Sequence, residues 1–278
     1  MEQQAAEVAA GRRFGFGRNW QRFLGVVDDG RIAEAELSLR DMLGCSRLDG
    51  KRFLDIGSGS GLFSLAARRL GARVVSFDYD SDSVACTAEL RDSYCPGDGG
   101  WDVREGSVLD DQFIQSLGHF DIVYSWGVLH HTGDMWHALR NARKPVGQAG
   151  LFFIALYNDQ GMRSRLWTAV KRVYCCCAAV RLAILFLFVP VLIAGGLVKD
   201  LLRLRSPLRR YRDYKKSRGM SVLHDWCDWL GGYPFETASP AAIESFFTAE
   251  GFSLLRTKTT RGWGNNEFVF EKNVTPEE

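Results

Sequence analysis

The sequence predicts a doubly wound α/β fold, and three observations carry that expectation. Short apolar runs recur between residues 52 and 156, each about the length of a buried strand. Stretches of helical spacing separate them, an alternation that yields a parallel sheet covered on both faces. A glycine-rich turn closes the first run and opens a helix, the arrangement found at the carboxyl edge of such sheets.

Residues 1–18 are small, polar and Gly-rich, and read as a loose leading segment. Over Asp29–Leu43, Ile32, Ala35, Leu39 and Leu43 recur at helical spacing, so an amphipathic helix is expected. The apolar run Arg52–Ile56 is the first strand. A helix over 62–70, a β-branched strand over 73–77 and a helix over 83–92 follow. Residues 102–105 form a weaker strand, 120–125 a stronger one and 151–156 a continuous apolar one. The rhythm then breaks between 159 and 236, around a 17-residue apolar run at 182–198 interrupted by Pro190 and Gly195-Gly196. A helix over 240–250 and strands over 252–257 and 267–271 complete seven strands. The short link between the last two suits an antiparallel pair at one sheet edge. The expected division is a capping segment and helix (1–48), a ligand-binding core (49–158), a helical insertion between strands five and six (159–236) and a return to the core (237–278).

With 46% hydrophobic and 24% charged residues, the chain is neither disordered, collagenous nor a coiled coil. Its 278 residues suffice for a full core. The net charge of +2 conceals a split. Residues 161–218 carry 14 Lys and Arg against Asp200 and Asp213, a net +12, which leaves −10 elsewhere. The seven cysteines form no CxxC pair and have no histidine at ligand spacing, so no metal site is expected. Cys175-Cys176-Cys177 read as small apolar side chains or acylation sites in a reducing compartment. The opening Met-Glu-Gln-Gln-Ala-Ala-Glu has no signal pattern, so a cytoplasmic protein is expected.

In Asp55-Ile56-Gly57-Ser58-Gly59-Ser60-Gly61 the glycines let a ligand approach the main chain closely. The spacing is GxGxG rather than the dinucleotide GxGxxG, and Asp55 would repel a pyrophosphate. A carboxylate there suits a cationic ligand. Asp78, at the tip of the next strand, suits both hydroxyls of a ribose. A positive amino acid head joined to a ribose describes S-adenosylmethionine.

The motif set resembles the class I methyltransferases that use this cofactor, over roughly residues 50–157 and the C-terminal strand pair. The resemblance implies their Rossmann-like seven-stranded sheet with an antiparallel last strand. It also implies that Asp55, Gly57 and Gly59, with Ser58 and Gly61 completing the loop, border the methionine end. Asp78, followed by Tyr79, would take the ribose, and Ser107 and Val108 would lie against the adenine. Ser125 and Trp126 would face methionine and substrate. The segment from Trp126 through His130-His131-Thr132 is similar to that of ubiquinone- and menaquinone-biosynthesis methyltransferases. That type usually has Pro-Gly-Gly before strand five, where this chain has Val146-Gly147-Gln148-Ala149-Gly150. Phe14-Gly15-Phe16-Gly17-Arg18-Asn19-Trp20, His224-Asp225-Trp226 and Tyr233-Pro234-Phe235-Glu236 resemble segments of a bacterial subgroup.

Methyl transfer from a sulfonium is mainly a positioning problem, helped by a base when the acceptor is a hydroxyl. His130 and His131 follow strand four, with one of them expected to point inward, His130 on the family pattern; loop capping is the alternative. His224 and Asp225 suit an oriented base or a polar cluster beneath a lid. Trp20, Tyr157, Asn158, Tyr233 and Asn266 are candidate substrate contacts, with packing and turn roles as the alternatives.

If the fold is right, the strands flanking the insertion lie on one side of any membrane, which excludes an odd number of spans. A re-entrant hairpin bent at Pro190 or Gly195-Gly196, an in-plane helix and a buried lid remain. Basic flanks favour peripheral association with an anionic membrane, and the apolar run argues against a nucleic-acid partner. The expected activity is methylation of a small lipophilic acceptor, on oxygen by preference. Methylation of rRNA or protein, and a non-catalytic S-adenosylmethionine-binding role, are the competing readings. Composition carries no expectation of oligomeric state.

Overall fold

The computed structural model describes residues 6–8, 10, 13–17, 20, 24, 25, 27–202, 206, 230–260, 262 and 264–274. The elements in chain order are α1 (Asp29–Leu43), β1 (Arg52–Ile56), α2 (Leu62–Arg69), β2 (Arg73–Asp78), α3 (Ser81–Tyr94) and β3 (Trp101–Glu105). Next come α4 (Asp111–Ser116), β4 (Phe120–Trp126), a single 3₁₀ turn (Leu129–His131), α5 (Met135–Ala142) and β5 (Val146–Tyr157). The insertion supplies α6 (Met162–Cys176) and α7 (Ala178–Leu202), before α8 (Pro240–Ala249), β6 (Phe252–Lys258) and β7 (Asn265–Lys272).

The strands form one sheet in the order β3-β2-β1-β4-β5-β7-β6. The first five are parallel, and β7 runs antiparallel between β5 and β6. The chain reverses its winding between β1 and β4, so the crevice for a ligand opens there. The last strand in sequence is therefore not the edge; β6 is. Strand alternation builds the two cores. Leu54, Val123, Phe152 and Ile154 face a layer of α4, α5 and α8 through Ile114, Leu139 and Phe247. Phe53, Ile122, Tyr124 and Phe153 face α1, α2 and α3 through Ile32, Leu39, Leu65 and Leu90. Helix α1 thus packs on the sheet, while Arg13, Phe14, Phe16 and Trp20 line the crevice, so of residues 1–48 the leading segment meets the expected capping role and the helix does not.

Helices α4 and α5 escaped the sequence reading, although each has an aspartate cap. Asp110 accepts from Gln112 N and Phe113 N, and Asp134 accepts from His137 N. The segment 146–150 belongs to β5. Pairing jumps from Phe120↔Val146 to Ile122↔Leu151, and the extra β5 residues bulge out with Ala149 at φ 52°. Helix α7 is continuous through Pro190 and Gly195-Gly196, so the hairpin alternative does not hold.

Candidate active site

A cleft of about 900 Å³ opens at the carboxyl ends of β1, β2, β3 and β4. Gly57 (φ 77°) and Gly59 (φ 55°) shape the loop after β1. A Cβ on Gly57 would meet Val128 Cγ1 at 2.3 Å, and one on Gly59 would meet the Trp20 ring at 3.0 Å. The loop is tied to the end of β2: Gly57 N and Ser58 N donate to Phe77 O, and Gly59 N donates to Asp78 Oδ2 at 2.9 Å. Asp80 N donates to the other Asp78 oxygen at 3.0 Å. Burial pushes the Asp78 carboxyl up to about 6 despite these donors.

Asp55 is buried at the cleft floor, and burial pushes it up to about 7. Ser64 Oγ–H donates to its Oδ2 at 2.5 Å. Ser64 has one proton and uses it there, so its 3.0 Å contact with Ser76 Oγ runs from Ser76 to Ser64. Trp101 Nε1–H in turn donates to Ser76 at 2.5 Å. Three buried donors therefore line up toward the Asp55 carboxylate.

Of the residues chosen from sequence, Asp55, Gly57, Ser58, Gly59, Asp78, Tyr79, Ser107, Val108, Trp126, His131, Trp20 and Tyr157 line this cleft. Others stand behind its wall. Ser125 alternates with Tyr124 and Trp126 along β4, so it points away and donates to Ile56 O at 3.0 Å. Gly61 caps α2. Asn266 Nδ2 donates to Asn158 Oδ1 at 3.0 Å, a pair that fixes the β5 and β7 ends while Asn265 faces the cleft. Tyr233 packs against Tyr174 and Leu230 in the insertion. His224 and Asp225 lie outside the described residues.

Between the two histidines the structure reverses the expectation: His131 is on the cleft wall and His130 is behind it. The 3₁₀ turn rotates successive side chains by about 120°, so the two rings part, one to the cleft and one behind it, with centroids 4.5 Å apart. His130 Nδ1 accepts from Tyr157 N at 3.3 Å. Its Nε2 has no partner among the described residues. His131 Nδ1 lies 2.6 Å from Pro234 O. A carbonyl only accepts, so Nδ1 carries the proton and Nε2 the free lone pair. Burial is the main cause that pushes His131 down to about 3, with Lys171 and Arg13 adding to it.

Sequence reasoning missed several contributors. Arg13 donates to His131 O at 2.9 Å and Thr132 O at 3.0 Å, and Glu236 accepts from Gly133 N and Met135 N at 3.1 and 3.0 Å. The loop after β4 is held from both sides. Lys171, buried on α6, sits 4.8 Å over the Phe235 ring, and burial pushes its amine down to about 7. Phe14 and Phe16 also line the cleft. The Phe-Gly-Phe-Gly segment was the signal for them. For Arg13 and Lys171 no local signal exists.

The donor set fits S-adenosylmethionine. The glycine cradle excludes side chains from the loop, and the cleft holds two carboxylates, Asp55 and Asp78, the acceptor type that an ammonium and a ribose diol need. Tyr124 Oη on the cleft wall has no partner among the described residues. Among the described residues, no three His, Cys, Asp or Glu side chains gather to hold a metal.

A family model described as a methyltransferase domain matches residues 31–180. Among curated relatives, the ubiquinone biosynthesis O-methyltransferase of Rhizobium rhizogenes is 31% identical over 119 residues, 43% of this chain and 46% of its own. The protein of that name from a Methylobacterium species is 34% identical over 126 residues, 45% and 48% of the two chains. The chain thus spans about half the length of the curated relatives it matches. The fold is similar to that of the Synechocystis magnesium protoporphyrin IX methyltransferase, solved with bound SAH, with a TM-score of 0.52 and 14% identity over 88% of this chain and 84% of the other. A putative methyltransferase from Haloferax volcanii gives a TM-score of 0.54 at 14% identity, over 96% of this chain and all of its own.

Proposed function

Because the chain belongs to the methyltransferase domain family, we propose that it transfers a methyl group from S-adenosylmethionine to the hydroxyl of a small lipophilic acceptor. The observation that carries this reading is the pair of carboxylates, Asp55 and Asp78, on either side of the glycine loop. In this reading Asp55 holds the ammonium of the cofactor, and Asp78 accepts from its ribose hydroxyls. The cofactor supplies an electrophilic methyl group. Phe14, Phe16, Trp126 and Tyr157 line the cleft with aromatic rings, a lining that favours an apolar acceptor. His131, which burial holds neutral, would take the acceptor's hydroxyl proton at Nε2 as that oxygen gains the methyl group and the methyl–sulfur bond breaks to release S-adenosylhomocysteine. Relatives named for ubiquinone biosynthesis support an oxygen acceptor. A cytoplasmic location, at the inner face of a membrane, accords with the acceptor class.

Calorimetry with S-adenosylhomocysteine tests the cofactor, with Asp78→Ala as the control expected to lose binding. Methyl-labelled cofactor added to lysate fractions tests the acceptor. Label is expected in organic-soluble material. Label in RNA or protein would replace this acceptor class with a macromolecule, and binding without any transfer would leave a cofactor-binding protein.

A further inference from the structure

Helix α7 inverts the usual amphipathic pattern. Its inner face, through Ile184, Leu185 and Phe188, packs on Trp167, Val170 and Tyr174 of α6. Its outer face should then be polar. Instead Leu182, Phe186, Leu187, Val191, Val198 and Leu201 stand outward, with Phe186 84% exposed. At helical spacing these residues share one side, with no charge between 182 and 198. An exposed apolar stripe of this length marks a surface made for another phase or another molecule.

Length alone permits a crossing. The 25 residues of α7 extend about 37 Å, against a hydrocarbon core of about 30 Å. Among the described residues it is the one helix long and apolar enough to span. Topology forbids it. Asn158, directly after β5, bridges to Ala238, and β7 pairs with β5 along its length, so the chain returns to where it left. A return span needs about 20 apolar residues, and residues 203–236 hold no uncharged stretch longer than seven. That stretch is basic, with eight Lys and Arg between 203 and 218.

We infer that α7 docks in the plane of an anionic lipid bilayer with its outer stripe in the acyl boundary, and that the basic residues flanking it in sequence supply the attraction to the headgroups. Charge complementarity selects this occupant. An insertion of net charge +12 on a body of −10 seeks an anionic surface, and an uninterrupted apolar stripe seeks hydrocarbon. The opposite, inner face of α7 adjoins the cleft wall. Phe14 packs in the same cluster as α6, α7 and Tyr233, and also lines the cleft. If the chain methylates a lipophilic acceptor as proposed above, that acceptor reaches the cleft from the bilayer. The docking itself rests on α7 and its charges and not on that reading.

The test is co-flotation of the full chain with phosphatidylglycerol–phosphatidylcholine vesicles. Binding is expected to phosphatidylglycerol-containing vesicles, much more weakly to phosphatidylcholine alone, and to be released by alkaline carbonate. The outer-face variant Phe186→Ser/Val191→Ser/Leu201→Ser should lower vesicle binding by at least on the order of tenfold, with an unchanged circular dichroism spectrum. The charge variant Arg203→Glu/Arg205→Glu/Arg209→Glu, which leaves the apolar stripe intact, should lower it as well. Equal flotation of the wild type and both variants overturns the inference. So does carbonate-resistant binding, the mark of a span, or a lipid-free dimer that the outer-face variant dissolves, the mark of a second copy on α7. Calorimetry on the same samples keeps the two proposals apart, since a chain that floats without binding S-adenosylhomocysteine fails only the functional one.

Discussion

His131 and Pro234, 103 residues apart in the chain, meet through a 2.6 Å contact between Nδ1 and the carbonyl oxygen. The contact fixes the imidazole tautomer and leaves the lone pair on Nε2 of a ring that lines the cleft. It also joins the loop after β4 to the end of the insertion.

Replacing His131 by Asn should lower kcat on the order of 10²- to 10⁴-fold, with the affinity for S-adenosylhomocysteine unchanged within about twofold. A parallel loss of cofactor affinity would assign the ring to binding instead. The same variant has a stability signature. The folded pKa is depressed to about 3 from 6.5, so the unfolded chain binds the extra proton and stability falls as pH drops below 6.5. His131→Asn should make the acid limb of a denaturation–pH series shallower, by at most about 1.4 kcal/mol per pH unit.

Asp55 titrates the other way. Its folded pKa is raised to about 7 from 3.8, so its contribution is lost as pH rises through 7 and the ionised group strains the ligand-free fold above that. Asp55→Asn is expected to stabilise the ligand-free protein at pH 8 by about 2–4 kcal/mol, while cofactor binding disappears. Urea denaturation beside calorimetry checks both halves. A destabilised variant at pH 8 would show that the carboxylate is better satisfied than its surroundings imply.

Ser64→Ala removes the donor that holds the Asp55 charge. Affinity for S-adenosylhomocysteine, which should decline as pH falls through about 7, is expected to decline from a higher pH in this variant. Calorimetric affinities from pH 6 to 9 give the midpoint. An unmoved midpoint removes Ser64 from the role.

Asp78→Asn keeps the size of the side chain and loses its charge. The expected loss of cofactor affinity is about 10- to 100-fold, the range for hydrogen bonds to a charged group.

Gly57→Ala sets a Cβ against Val128 at a φ of 77°. Cofactor binding and thermal stability should both fall. Adding Val128→Ala should restore part of each and not all, because the left-handed backbone strain remains.

Most of this sheet is legible in the chain because buried parallel strands are short unbroken apolar runs. Arg52–Ile56 and residues 151–156 announce themselves, and Gly57, Gly59 and Asp78 follow at strand ends where a glycine or a carboxylate stands out. Helices α4 and α5 are less visible. Each has six to eight residues, too few for periodicity to rise above composition. Their Asp110 and Asp134 caps were the readable signal.

By itself the sequence determined the order of the seven strands and of the longer core helices, the glycine loop, the carboxylates Asp55 and Asp78 and the separation of a basic apolar insertion from an acidic body. These are local patterns, and the neighbours along the chain impose them. Only the tertiary structure decided which side chains face the cleft. It set Trp126 outward and Ser125 inward through the pleat of β4, and His131 ahead of His130 through one 3₁₀ turn. It brought Arg13 and Glu236 onto the same loop from opposite ends of the chain, and it left the apolar side of α7 outward. Each of these depends on register and packing between distant segments, which residue spacing does not encode.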